Sequence, residues 1–156
     1  MTFKEEMVRI LKEELSILRI LKELTYEKTD VIIDNQVERL EKITKREEEL
    51  INKMKIAEDN RLELMDSWGV DINTPLIKVI EKIPEGKEEL IELKDKLTSF
   101  LDDINGRNNI NNELIKDNLE WLDFNMNLIS NIQTPTTYGK GEKKVEVNSS
   151  LFDRKV

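Results

Sequence analysis

Any chemistry in this 156-residue chain has to come from carboxylates, amines, hydroxyls, amides and the backbone, because it holds no histidine and no cysteine. Those two absences remove the imidazole base, the imidazole metal ligand, the thiolate nucleophile, the disulfide and the cysteine-held metal site. Acid–base work would fall to neighbouring carboxylates, such as Glu58 with Asp59, or Glu13 with the acids around Asp30. A carboxylate di-iron bundle needs inward glutamates together with Glu-x-x-His, which cannot be built without histidine. No glycine-rich loop follows a strand and no EF-hand loop occurs, so phosphate cradles, dinucleotide folds and calcium loops drop out as well. The sequence predicts no enzyme, no cofactor and no metal.

A more informative set of polar residues interrupts a long apolar seam. Positions 90, 93, 97, 100, 104, 107, 111, 114, 118, 121, 125, 128 and 132 alternate by three and four, and most are Leu, Ile, Phe or Trp. Arg107, Asn111, Asn118 and Asn125 stand in the same series, at positions that face a partner. Two readings follow. The chain has fourteen asparagines and a single alanine, Ala57, which suggests a coding bias, and a buried asparagine can fix helix register at some cost in stability. Alternatively, this helix keeps a second apolar face, Ile115, Leu119, Leu122, Met126 and Ile129, for another chain. Spacing alone leaves both open.

The elements that must position these residues are helices. Charged residues make up 37% of the chain and hydrophobic ones 38%, a lean core of the kind found in long amphipathic helices. The length suits one folded domain. A formal charge of −8 with no basic stripe argues against nucleic acid. The longest apolar run is three residues, as at Val31 to Ile33, against the roughly 20 of a membrane span, so no direct membrane insertion is expected. No signal-peptide pattern opens the sequence, and a cytoplasmic location is expected.

All five glycines and three prolines lie at or after Gly69, which predicts an almost wholly helical first 68 residues. Thr2 with Glu5 matches a capping box, and Met7, Leu11, Leu15, Leu18 and Leu21 form a stripe along a first helix that runs to about Lys28. Thr29 and Asp30 read as caps of a second helix, about 55 Å long over residues 30–66 and ending near Trp68. Its Glu38/Lys42, Glu41/Lys45 and Glu49/Lys53 pairs each add about 0.2–0.5 kcal/mol, and the mixed-charge run Lys45 to Glu49 reads as a solvated face. After a turn at 69–73, Thr74 as N-cap and Pro75 at the first helical position start a short helix that Pro84 and Gly86 end. A last helix is expected from about Lys87 to Ile132.

The predicted fold is all-α: an elongated antiparallel, coiled-coil-like bundle of three long helices with one short extra helix, over residues 1–133. Residues 134–156, with Pro135, Gly139, Gly141 and five bases against three acids, are expected to form a flexible C-terminal docking tail.

Three groups of residues occur in a telling order: Glu58-x-x-Arg61, then Asn108-x-x-Asn111-x-x-Leu114-Ile115, then Thr137-Tyr138-Gly139 followed by Gly141. In that order, over most of its length, the chain resembles the FlgN-type flagellar export chaperones. The resemblance implies an all-helical cytoplasmic chaperone of type III export without nucleotide or metal. It would bind the disordered C-terminal segments of hook–filament junction proteins, prevent their premature assembly and deliver them to the export gate. It implies client binding by the last helix with the tail, so that Asn108, Asn111, Leu114 and Ile115 of the matching motif, with Leu119, Leu122, Met126 and Ile129 of the second apolar face, are the expected client contacts. It also implies that Tyr138 docks on the cytoplasmic domain of the export-gate membrane protein; folding of Tyr138 back near Trp121 or Phe124 is the competing reading. The alternative of a different class is a structural coiled-coil adaptor or homo-oligomeric spacer whose seams pair between identical chains, and a homodimer stays open.

Overall fold

The computed structural model describes residues 2–130, with side chains through Glu120. Four helices follow one another: α1 (Phe3–Ile33), α2 (Val37–Ser67), α3 (Leu76–Glu81) and α4 (Glu88–Ser130). The expected capping box starts α1: the Thr2 hydroxyl accepts the Glu5 N–H at 3.2 Å and the Glu5 carboxylate accepts the Thr2 N–H at 3.0 Å. Both orphan donors at this helix end are satisfied reciprocally.

α1 does not stop at Lys28. It runs through Thr29 and Asp30 to Ile33, because Thr29, Val31 and Ile32 are buried against neighbouring helices and tertiary packing overrides the capping tendency of Thr-Asp. The reversal comes instead at Asp34 and Asn35. Asn35 adopts φ 54°, and the N–H groups of Asn35 and Gln36 reach back to the carbonyls of Ile32 and Val31. α2 ends the same way around Gly69, with φ 71°: the Gly69 N–H bonds to the Asp66 carbonyl and the Val70 N–H to that of Met65. Both are Schellman closures, which need a left-handed residue and therefore favour Gly or Asn. At α3, Pro75 rather than Thr74 is the N-cap, and no side chain caps the helix.

Successive long helices reverse direction, so α1 and α4 run parallel. The paired residues climb both helices together: Lys12 with Glu89 at 3.2 Å, Lys22 with Asp103 at 2.9 Å, and Arg107 stacked 4.1 Å from the Tyr26 ring. α1 is the central helix. It lies along both α2 and α4, whereas α2 and α4 approach each other less closely, with no Cα atoms within 8 Å across them among the described residues. Accordingly α1 is buried on a broad face, including Met7, Ile10, Leu11, Leu18 and Leu21, while α2 buries one narrow stripe through Ile43, Leu50, Ala57 and Leu64. The α4 seam is buried at Leu90, Leu93, Leu97, Ile104 and Asn111. α3 closes the lower end by burying Leu76, Val79 and Ile80.

α4 outruns its partners. The pairing of residues 22 with 103 and 26 with 107 places the end of α1, Ile33, level with about residue 115 of α4. The remaining fifteen or so residues of the helix extend about 22 Å past it at 1.5 Å per residue.

Candidate functional site

Three polar interruptions of the seams fix how the helices sit on one another. Near mid-bundle Glu14 of α1 meets Arg61 of α2, Oε1 to Nε 3.3 Å, both buried. The contact is an ion pair without hydrogen-bond alignment. Burial pushes the Glu14 carboxyl up to about 7; Arg61 pulls the other way, and Glu58 and Glu13 nearby add to the rise. Farther up, Lys28 pairs with Glu47 at 3.0 Å with both side chains mostly shielded. Buried pairs of this kind contribute little net stability but penalise a shifted register, which would leave a charge alone in the core.

On the α4 side the corresponding device is neutral. The Asn111 side-chain amide donates to the Thr25 carbonyl at 3.0 Å, and the Thr29 hydroxyl donates to the Asn111 side-chain oxygen. All three residues are buried, and the Thr25 hydroxyl is occupied by the Leu21 carbonyl at 2.7 Å. Asn111 therefore faces α1, and both its amide groups are engaged inside the bundle. Its amide fixes the register of α4 on α1.

The other assigned residues lie differently. Asn108 and Leu114 are half-buried, Ile115 is half-buried at the level where α1 ends, and Leu119 is 42% exposed. Asn118 is exposed. Leu122, Met126 and Ile129 belong to the backbone-described part of α4, and their side chains lie outside the described residues, as do those of Trp121 and Phe124. Tyr138 and the whole segment 134–156 also lie outside them. Beside the overhang the α1–α2 turn exposes Ile33 and Val37, at 59% and 65%, and α4 exposes Ile110 at 45%. This end of the bundle thus carries apolar surface that the described residues do not cover.

Sequence reasoning passed over Glu14 and Thr25, took Thr29 for a helix cap and placed Glu47 on a solvated face, although Glu47 is buried against Lys28 and a signal was available for Glu14 and Thr25. Met7, Leu11, Glu14, Leu18, Leu21 and Thr25 are spaced by fours and threes, so the polar residues occupy seam positions just as Asn111 does.

Among the described residues, no group of three or more acids could hold a metal ion, and no helix is long and apolar enough to cross a membrane. The family described as FlgN protein matches residues 1–146. The chain belongs to the FlgN family. Over 152 aligned residues it is also 27% identical to the protein named uncharacterized protein YvyG of Bacillus subtilis (strain 168), an alignment covering 92% of this chain and 95% of that protein. No solved structure matches it. FlgN proteins are non-catalytic flagellar chaperones, and this all-α FlgN chain is accordingly a chaperone whose work is binding other proteins. Two of the positions that carry the FlgN resemblance, Arg61 and Asn111, serve the bundle from within.

Proposed function

We propose that the chain is a cytoplasmic flagellar export chaperone that binds the disordered C-terminal segments of hook–filament junction proteins along the part of α4 that runs past α1. The observation that carries this reading is the overhang: about fifteen helical residues that extend past the end of α1, beginning at half-buried Ile115 and exposed Leu119 and flanked by exposed Ile33 and Val37. A disordered segment that folds on binding gains most where an apolar helix face already stands rigid and uncovered. Leu114, Ile115, Leu119, Leu122, Met126 and Ile129 form the proposed contact set, with Asn108 at its lower margin and Asn111 holding the helix beneath it. Tyr138, following α4 in sequence, is the proposed contact to the cytoplasmic domain of the export-gate membrane protein.

The test is a titration of the full chain with C-terminal segments of junction proteins. Leu119→Asp is expected to weaken client binding at least tenfold with unchanged helicity, and Tyr138→Ala to leave client binding intact while weakening docking to the gate. Equal loss of both in Tyr138→Ala would refute the division of labour. A stable elongated oligomer in sedimentation, dissociated by Leu119→Asp, would favour the spacer reading instead.

A further inference from the structure

At the opposite end of the bundle the chain builds a cleft that the chaperone reading does not use. The Schellman closure at Gly69 turns the chain so that Trp68 and Val70 face the start of α1, while α3 brings Val79 and Ile83 up from below. With Phe3 these residues wall an apolar cavity of 450 Å³, within the range of about 300–1,000 Å³ for ligand clefts. Phe3 and Trp68 meet edge to face, ring centroids 5.7 Å apart, which fixes the indole in place. Trp68 is nevertheless 57% exposed, and Ile72 and Ile77 at the same end are exposed too. Exposed tryptophan beside a concave apolar wall is the composition of an interface anchor site.

Charge narrows the occupant. Lys4 and Lys82 line the cleft, no carboxylate does, and neither lysine forms an ion pair among the described residues. In a chain where 33 acids outnumber 25 bases, the lining of this hollow carries two lysines and no acid. The Lys4 ammonium lies beside the backbone at Gly86, where φ is +70°. A concave site suits a protruding side chain better than a flat bilayer does.

We infer that this cleft receives a segment of a partner protein that presents a large apolar side chain flanked by carboxylates. The apolar side chain packs on Trp68 and Val70, and the carboxylates meet Lys4 and Lys82. The site lies a full α1 length from the overhang, about 45 Å for 31 residues, so both can be occupied at once and this inference stands apart from the client reading.

Trp68 reports on its own site. In the full chain carrying Trp121→Phe it is the sole tryptophan. The probe is a capped ten-residue peptide with a central Leu-Phe pair and two aspartates on each side; the controls replace the aspartates by asparagine or by lysine. A saturable blue shift of Trp68 emission is expected with the aspartate peptide, at least tenfold weaker with the asparagine peptide, and weakened by salt. Lys4→Gln with Lys82→Gln should lower the affinity at least tenfold with unchanged helicity, and the double arginine variant should restore it. Equal binding of the lysine peptide, or no saturable shift with any peptide, overturns the inference. So does a shift produced by phosphatidylglycerol vesicles and not by peptide, or one that grows with protein concentration alone, which would make the occupant a bilayer or a second copy.

Discussion

The two ends of the bundle are finished differently. At the lower end α3 folds under the core, burying Leu76, Val79 and Ile80, and Phe3 and Trp68 interlock above it. At the upper end none of the described residues closes the bundle: α1 stops at Ile33, α2 begins at Val37, and α4 continues past both. One end is a finished core with a cleft in its wall, and the other, among the described residues, leaves apolar surface that a further helix could cover. The register devices follow a division of their own, a buried ion pair on the α2 side and a neutral amide on the α4 side. Apolar surface left exposed in a chain with so few apolar residues to place marks where binding energy is available.

The sharpest way to separate the core from the overhang is to truncate one leucine in each. Leu18→Ala, at a fully buried position, is expected to destabilise by about 2–5 kcal/mol in urea unfolding, whereas Leu119→Ala should stay within about 0.5 kcal/mol. A large loss for Leu119→Ala would mean that the overhang is packed by its own chain.

The second effect belongs to Glu14. Its carboxyl holds a proton in the folded state up to about pH 7 but releases it near 4.5 when unfolded, so between those values the native state binds more protons. Stability should therefore fall as pH rises from about 4.5 to about 7, by on the order of 3 kcal/mol in total. Glu14→Gln, which keeps the shape and cannot ionise beside Arg61, Glu58 and Glu13, should flatten that slope. An unchanged slope in chemical denaturation would show that the pair is not desolvated.

Asn111→Ala leaves the Thr29 hydroxyl and the Thr25 carbonyl without their cross-helix partner, at an expected cost of about 1–3 kcal/mol. It should also speed amide exchange in α4 above Ile104 more than in α2, because only the α4 contact is cut. Smaller again is Gly69→Ala. Nothing lies within 4 Å of a Cβ built there, so the cost, about 1–2 kcal/mol, is that of the left-handed backbone alone. It should disturb Trp68 emission and leave client binding unchanged.

Much of this division was legible in the sequence. The capping box at Thr2 and Glu5, the confinement of glycine and proline to Gly69 and the residues after it, and the seam from Leu90 to Ile104 place the long helices and the short one. The end of α1 was not legible, because Thr29 and Asp30 carry a local capping preference that only the burial of Thr29, Val31 and Ile32 in the bundle overrides. The role of Asn111 was undecidable by spacing, since a seam position is the same whether the facing helix is its own or a partner's. The cleft around Trp68 was invisible because it joins residues 3, 68 and 83, which no period connects.

Amide hydrogen exchange of the full chain, with and without the C-terminal segment of a hook–filament junction protein, tests the central claim most directly. Exchange should slow in α4 from about residue 115 onward and in the α1–α2 turn, with residues 76–86 unchanged. Protection confined to other faces of α1 and α2, with α4 past Ile115 exchanging as fast as in the free chain, would contradict it.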